Sequence, residues 1–173
     1  ALLSAAALHG AGHQRPMAFQ GRVDGTERAI EVGRVRVEFH VSHRFDGAAT
    51  QTLQTETGTM IVATPETTAF DLVRFPGASG HWSNVATVLS ELAEKLDTRA
   101  LAEGAHRVAQ SDVQRLGWML ERVEQRELAD ALWTTLAGKR LQPTRLTFAR
   151  DASDAPLDPR WRVLVNDDVE PDL

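Results

Sequence analysis

Thr64-Pro65-Glu66-Thr67-Thr68-Ala69-Phe70-Asp71-Leu72-Val73 is the stretch from which the fold is read. Thr64 has the side chain of an N-cap, a hydroxyl that accepts a free amide of the first turn. Pro65 suits the first helical position, where a missing N–H costs nothing, and Glu66 sets a negative charge near the positive end of the helix dipole. Ala69, Phe70, Leu72 and Val73 supply an apolar side. Immediately before the cap, Met60-Ile61-Val62-Ala63 reads as a strand. A strand that runs into a capped helix with almost no loop fixes how a sheet and a helical layer meet. Asp71 is a poor helix-interior residue. It is expected either to find an arginine or a backbone amide across this junction, with Arg115 one candidate, or to stand exposed with no role.

Downstream, Val85, Val88, Leu89, Leu92 and Leu96 form one helical stripe, separated from the first helix by Pro76, Gly77 and Gly80. Taken alone, this is a well-packed helical hairpin. Asp97 or Thr98 caps a third helix, marked by Leu101, Ala105 and Val108. Ser111 followed by Gln114 is a capping box, opening a helix with Val113, Leu116, Gly117, Leu120 and Val123 on one side. Gly117 stands where a side chain should pack, so another backbone is expected to approach there. Leu128, Ala131, Leu132, Thr135 and Leu136 make a last helix, with Gly138 as C-cap.

Upstream, residues 2–8 read as a short buried helix, ended by Gly10 and Gly12. Residues 14–20 read as a strand, Asp24-Gly25 as a turn, and residues 28–32 as a short strand. The clearest strand is Arg34-Val35-Arg36-Val37-Glu38-Phe39-His40-Val41. Its valines and Phe39 are assigned to a core face, and Arg34, Arg36, Glu38 and His40 to a wet one. Phe45-Asp46-Gly47 is a loop, and residues 50–56 and 59–63 form a hairpin. At the far end, residues 145–149 and 160–165 read as strands, followed by an acidic tail. The fold class is α+β: a mixed, mostly antiparallel sheet packed against a block of four to five helices. The expected layout is one domain over residues 1–173, strand-rich in 1–63, helical in 64–140, with closing strands and acidic tail in 141–173.

Composition narrows the function. A chain of 173 residues with 42% apolar and 25% charged residues is ordinary for a globular domain. A net charge of -5 weighs against a general nucleic-acid binder, which needs excess cations to neutralise phosphates. Without cysteine there is no disulfide, thiol nucleophile or thiolate zinc site, which fits a reducing, cytoplasmic location. No run is long enough to cross a membrane. The opening apolar residues lack the basic segment and cleavage site of a signal peptide. The chain starts inside a helical pattern with no initiator Met, so it reads as a fragment of a longer protein.

Taken together, several pieces resemble the C-terminal region of the AbiEi family, the antitoxin half of a bacterial type IV toxin–antitoxin pair. They are Leu3-Ser4-Ala5-Ala6-Ala7-Leu8-His9-Gly10, then His13-Gln14-Arg15-Pro16 and Phe19-Gln20. Thr64-Pro65-Glu66 with Ala69-Phe70-Asp71-Leu72-Val73 follows, then residues 84–93, Gln114-Arg115-Leu116-Gly117, and the run from Trp161 to Glu170-Pro171-Asp172. The resemblance implies a non-enzymatic domain that neutralises a nucleotidyltransferase-like toxin, in systems tied to phage defence. It also implies an N-terminal winged helix, absent here, that binds operator DNA and represses the operon. No cofactor is implied.

Chemical alternatives find little purchase. The histidines His9, His13, His40, His43, His81 and His106 show no metal-ligand spacing. There is no Gly-x-Ser-x-Gly elbow and no Walker loop. Lys95 and Lys139 have Ala93 and Ala137 two residues before them, so an acid-x-Lys nuclease motif is lacking. A nucleotide- or nucleic-acid-acting enzyme of unrecognised type is the alternative reading. Arg34 and Arg36 on the wet strand face, with Arg44 nearby, are the candidate nucleic-acid contacts. Asp167, Asp168, Glu170 and Asp172 are the candidate contacts to a cationic partner or a cation, the plainer reading being a solvated terminus.

Overall fold

The computed structural model of the chain describes residues 1–12, 17–42, 48–55 and 58–170. Expectations that fall on residues 13–16, 43–47, 56–57 and 171–173, Arg44 and Asp172 among them, lie outside the described residues. The fold is α+β. In chain order the elements are α1 (Leu2–Leu8), β1 (Phe19–Val23), β2 (Ile30–Val32), β3 (Val35–Val41), β4 (Thr50–Thr55) and β5 (Gly58–Ala63). Then come α2 (Pro65–Arg74), α3 (His81–Leu92), a 3-10 turn (Ala93–Lys95), α4 (Thr98–Ala105), α5 (Gln110–Arg122), α6 (Arg126–Thr135), β6 (Thr144–Arg145) and β7 (Val163–Leu164).

The helical block forms as its periodicity dictates. Thr64 Oγ1 accepts the Thr67 amide at 3.3 Å, Pro65 opens α2, and Ala69, Phe70, Leu72 and Val73 are buried. On α3 the buried residues include Val85, Val88, Leu89 and Leu92, the stripe seen in the sequence. Asp97 caps α4 by accepting the Ala100 amide at 2.8 Å. Gly104 lies on α4 because a Cβ there would meet the Phe70 ring at 3.2 Å. One apolar core runs through α1 to α6 and reaches Leu146, Trp161 and Val163.

The strands are divided among three small sheets rather than gathered in one. β1, β3 and β2 form a mixed sheet in that order, with β1 parallel and β2 antiparallel to β3. β4 and β5 form a separate antiparallel hairpin, and β6 and β7 a short parallel pair.

The first sheet is turned over relative to the alternation expected for residues 34–41. Its polar side, carrying Gln20, Arg22 and His40, faces the helical block. Gln20 Nε2 donates to the Ala78 carbonyl at 2.7 Å, Arg22 pairs with Asp71, and His40 stacks at a tilt on Phe75. The apolar side is left outside, with Phe19, Ile30 and Val35 all exposed. Val23, Val37, Phe39 and Val41 are partly covered there, and the Phe39 ring lies over Gly21, where a Cβ would come within 2.8 Å of it. The inversion follows from what the helical block offers: Asp71 and the Ala78 carbonyl are partners for the Arg22 and Gln20 side chains, while the Ser4 hydroxyl accepts the Gln20 backbone amide.

The C-terminal segment departs from the expected strands. β6 and β7 keep only two residues each, and Trp161 lies in the turn before β7, fully buried. Its indole fills the space over Gly117, so the group approaching that glycine is a ring and not a backbone; a Cβ on Gly117 would be 2.1 Å from Trp161 Cη2 and Cζ3. The capping box does not form. Ala109 is the N-cap of α5 with no side-chain cap, placing Ser111 inside the first turn. Buried Gln114 is occupied elsewhere, donating to the carbonyls of Trp161 at 2.8 Å and Gln142 at 3.0 Å.

Candidate functional site

The junction between the first sheet and α2 is built around a buried ion pair. Arg22 Nη1 lies 2.7 Å from Asp71 Oδ1, with side-chain exposures of 10% and 2%. Asp71 therefore has its arginine, but from β1. Arg115 binds elsewhere, to Asp112 at 3.1 Å and to the Arg145 carbonyl at 2.8 Å. Burial pushes the Asp71 carboxyl up to about 6, against the pull of Arg22, the amino terminus and Arg74. Burial likewise lowers the pKa of His40, whose contact with Phe75 lies on the same seam. This seam holds the sheet through polar contacts, not through a dry apolar layer.

The arginines expected to meet nucleic acid stand at the exposed β2–β3 end of that sheet, Arg36 on the same face as Arg22 and His40. Arg34 occupies the tight turn between β2 and β3, beside Gly33 with its positive φ of 61°. It is exposed and has no ion-pair partner among the described residues. Arg36 is engaged on the surface by Glu38 at 3.0 Å and Glu31 at 3.5 Å. Two carboxylates largely cancel its charge, and such exposed pairs contribute little to stability.

The acidic terminus is docked as far as Glu170. Asp167 accepts from Thr147 Oγ1 at 2.6 Å and from Arg150 at 2.5 Å, and its side chain is 13% exposed. Val169 is buried, with its carbonyl accepting from Arg122 at 3.2 Å, and the Glu170 amide donates to Ser83 Oγ at 3.2 Å. Asp168 and Glu170 project their carboxylates to solvent. Of the acidic set, then, Asp167 serves the fold, while Asp168 and Glu170 stay available.

Among the described residues, no three His, Asp or Glu side chains gather in a way that could hold a metal ion. His9 uses Nε2 on the Ala63 carbonyl at 2.8 Å. No described helix is long and apolar enough to cross a membrane. The arrangement is one of surfaces on a packed scaffold. Sequence reasoning missed Arg22, although its even spacing from Gln20 on β1 was a usable signal. It also missed Arg160, whose guanidinium lies against the rings of both Trp133 and Trp161 and pairs with Glu121 and Asp130. Contacts of such long separation leave no local periodicity.

The first sheet, the strand-to-helix junction and α1 to α5 lie inside the stretch that a known family matches. The model of the AbiEi antitoxin C-terminal domain matches residues 1–122. The chain belongs to that family of antitoxin domains. No curated protein matches it. Among solved structures it is similar to the crystal structure of the RV2827C protein from Mycobacterium tuberculosis, with 17% identity and a TM-score of 0.66. That likeness covers 92% of this chain and 59% of the other, and at this identity it shows a shared fold.

Proposed function

We propose that residues 1–173 act as one antitoxin domain that counters a cognate nucleotidyltransferase-like toxin and carries out no reaction of its own. The observation that carries this reading is the family match over residues 1–122, which spans the capped junction and α1 to α5. In the longer protein the domain would follow a winged helix that binds operator DNA and regulates a type IV system serving phage defence in the cytoplasm. Arg34 and Arg36, with Arg44, would extend the DNA-facing surface, since arginines position proteins on phosphates. Asp168 and Glu170, with Asp172, would meet a cationic toxin surface, where opposite charge speeds encounter.

Growth of cells co-expressing residues 1–173 and the toxin is the test, alongside a variant carrying Asp168→Lys and Glu170→Lys. Asp167 is left alone because it braces Thr147. Restored growth by the unaltered domain supports the antitoxin reading; equal rescue by the charge-reversed variant keeps that reading and discards the acidic contact. A gel shift with the longer protein on its own promoter tests the arginines: Arg34→Glu with Arg36→Glu should weaken binding several-fold, and unchanged affinity removes them from the DNA surface.

A further inference from the structure

Among the exposed apolar residues, two features stand out. The first is Phe148, 83% exposed at the tip of the turn after β6. The turn beneath it is tightly braced. Thr147 donates its amide to Asn166 Oδ1 at 2.9 Å, while Asn166 Nδ2 donates to the carbonyls of Thr147 at 2.8 Å, Arg150 at 3.0 Å and Asp151 at 3.3 Å. Thr147 Oγ1 accepts from Trp82 Nε1 at 2.7 Å and donates to Asp167 at 2.6 Å. Arg145 donates to the Phe148 carbonyl at 3.4 Å. A rigid turn that holds an aromatic ring in water loses little further entropy on binding, which is how an interface anchor is made.

The second is a groove of about 480 Å³ between α1 and the first sheet, lined by Leu8, Met17, Phe19 and Val35 with Arg34 and Arg36 at its rim. Leu8 and Val35 are 43% and 57% exposed. The groove exists because the first sheet presents its apolar side outward. An apolar cavity of about 150 Å³ already accepts a benzene ring, so a phenylalanine side chain fits. Charge agrees with the pairing: Arg34 lacks an ion-pair partner among the described residues, while around Phe148 the exposed Asp151 and Asp154 outweigh Arg145, Arg150 being held by Asp167.

We propose that Phe148 of one copy seats in the Leu8–Phe19–Val35 groove of a second copy, with Asp151 and Asp154 beside Arg34. Plug and socket are different patches of the surface, so the contact is heterologous: each copy offers one free plug and one free socket, and chains extend unless the geometry closes a ring. The occupant is a second copy because this chain itself carries the matching ring and the matching charge.

Sedimentation velocity of the 173-residue chain across a concentration series tests this. The unaltered chain should self-associate as concentration rises. Phe148→Glu kills the plug and Val35→Glu kills the socket; both sites are exposed, and circular dichroism confirms that each variant is folded. Each variant alone should dissociate at least tenfold more readily than the unaltered chain. Mixed, the two variants retain one good plug and one good socket between them, so they should form a 1:1 dimer and grow no further. An unaltered chain that stays monomeric throughout, or a mixture that remains monomeric while the unaltered chain assembles, overturns the proposal. So does association that only one of the two substitutions weakens, which would hand the other patch to a different ligand.

Discussion

Asp71 is held by two opposed forces, the loss of water around its carboxylate and the guanidinium of Arg22 at 2.7 Å. Desolvation wins, and the folded pKa of about 6 lies above the ordinary 3.8. Between those values the folded chain binds more protons than the unfolded one. The contribution of this group to stability is therefore greatest at the acid end and declines as pH rises through the window from about 4 to 6. Thermal melts from pH 4 to 7 should show that decline as the difference between the unaltered chain and Asp71→Asn, since His40, whose pKa burial lowers, pulls the other way in both. Asp71→Ala strands the buried guanidinium and should cost about 3–5 kcal/mol in urea denaturation, whereas Arg22→Met combined with Asp71→Leu should cost much less. Gly117→Ala drives a methyl into the Trp161 ring. Overpacking of that kind should cost about 1–3 kcal/mol and change the near-ultraviolet circular dichroism of the indole.

At the scale of the elements, the caps read at Thr64 and Ser111 separate cleanly. Thr64→Ala removes a working cap and should lose about 1 kcal/mol; Ser111→Ala, at a residue already inside α5, should change the denaturation midpoint hardly at all. Gln114→Ala leaves the carbonyls of Trp161 and Gln142 without this donor and should cost about 1–3 kcal/mol. These elements show what a sequence can convey. The stripe of Val85, Val88, Leu89 and Leu92 is read correctly because a helix with one apolar face has one way to bury it. Alternation in residues 34–41 says which side chains share a face, and that part holds. It does not say which face meets the helices, since the answer depended on Asp71, 30 residues beyond the strand's end. Ser111-x-x-Gln114 matched a cap by spacing, yet the glutamine was claimed by Trp161, 47 residues away. Arg36 and Asp167 were visible as charged candidates, but the pairing of Arg36 with Glu31 and Glu38, and of Asp167 with Thr147 and Arg150, was not.

Across the whole molecule, a dry helical core carries a sheet fastened by polar contacts, with the sheet's apolar side turned outward. The family is legible in the sequence because the capped junction and the helical stripe lie inside the matched residues 1–122. The region beyond residue 122 is integral to the packing: Trp161 fills the notch at Gly117, and Arg122 binds the Val169 carbonyl. A neutralising surface built on this scaffold should therefore fail when that packing fails. The direct measurement is growth of cells expressing the toxin together with residues 1–173, compared with the same chain carrying Gly117→Leu and with the longer protein. The account predicts that the unaltered domain restores growth as the longer protein does, and that Gly117→Leu loses rescue along with its folded circular dichroism signal. Rescue by the longer protein but not by the well-folded domain would contradict it.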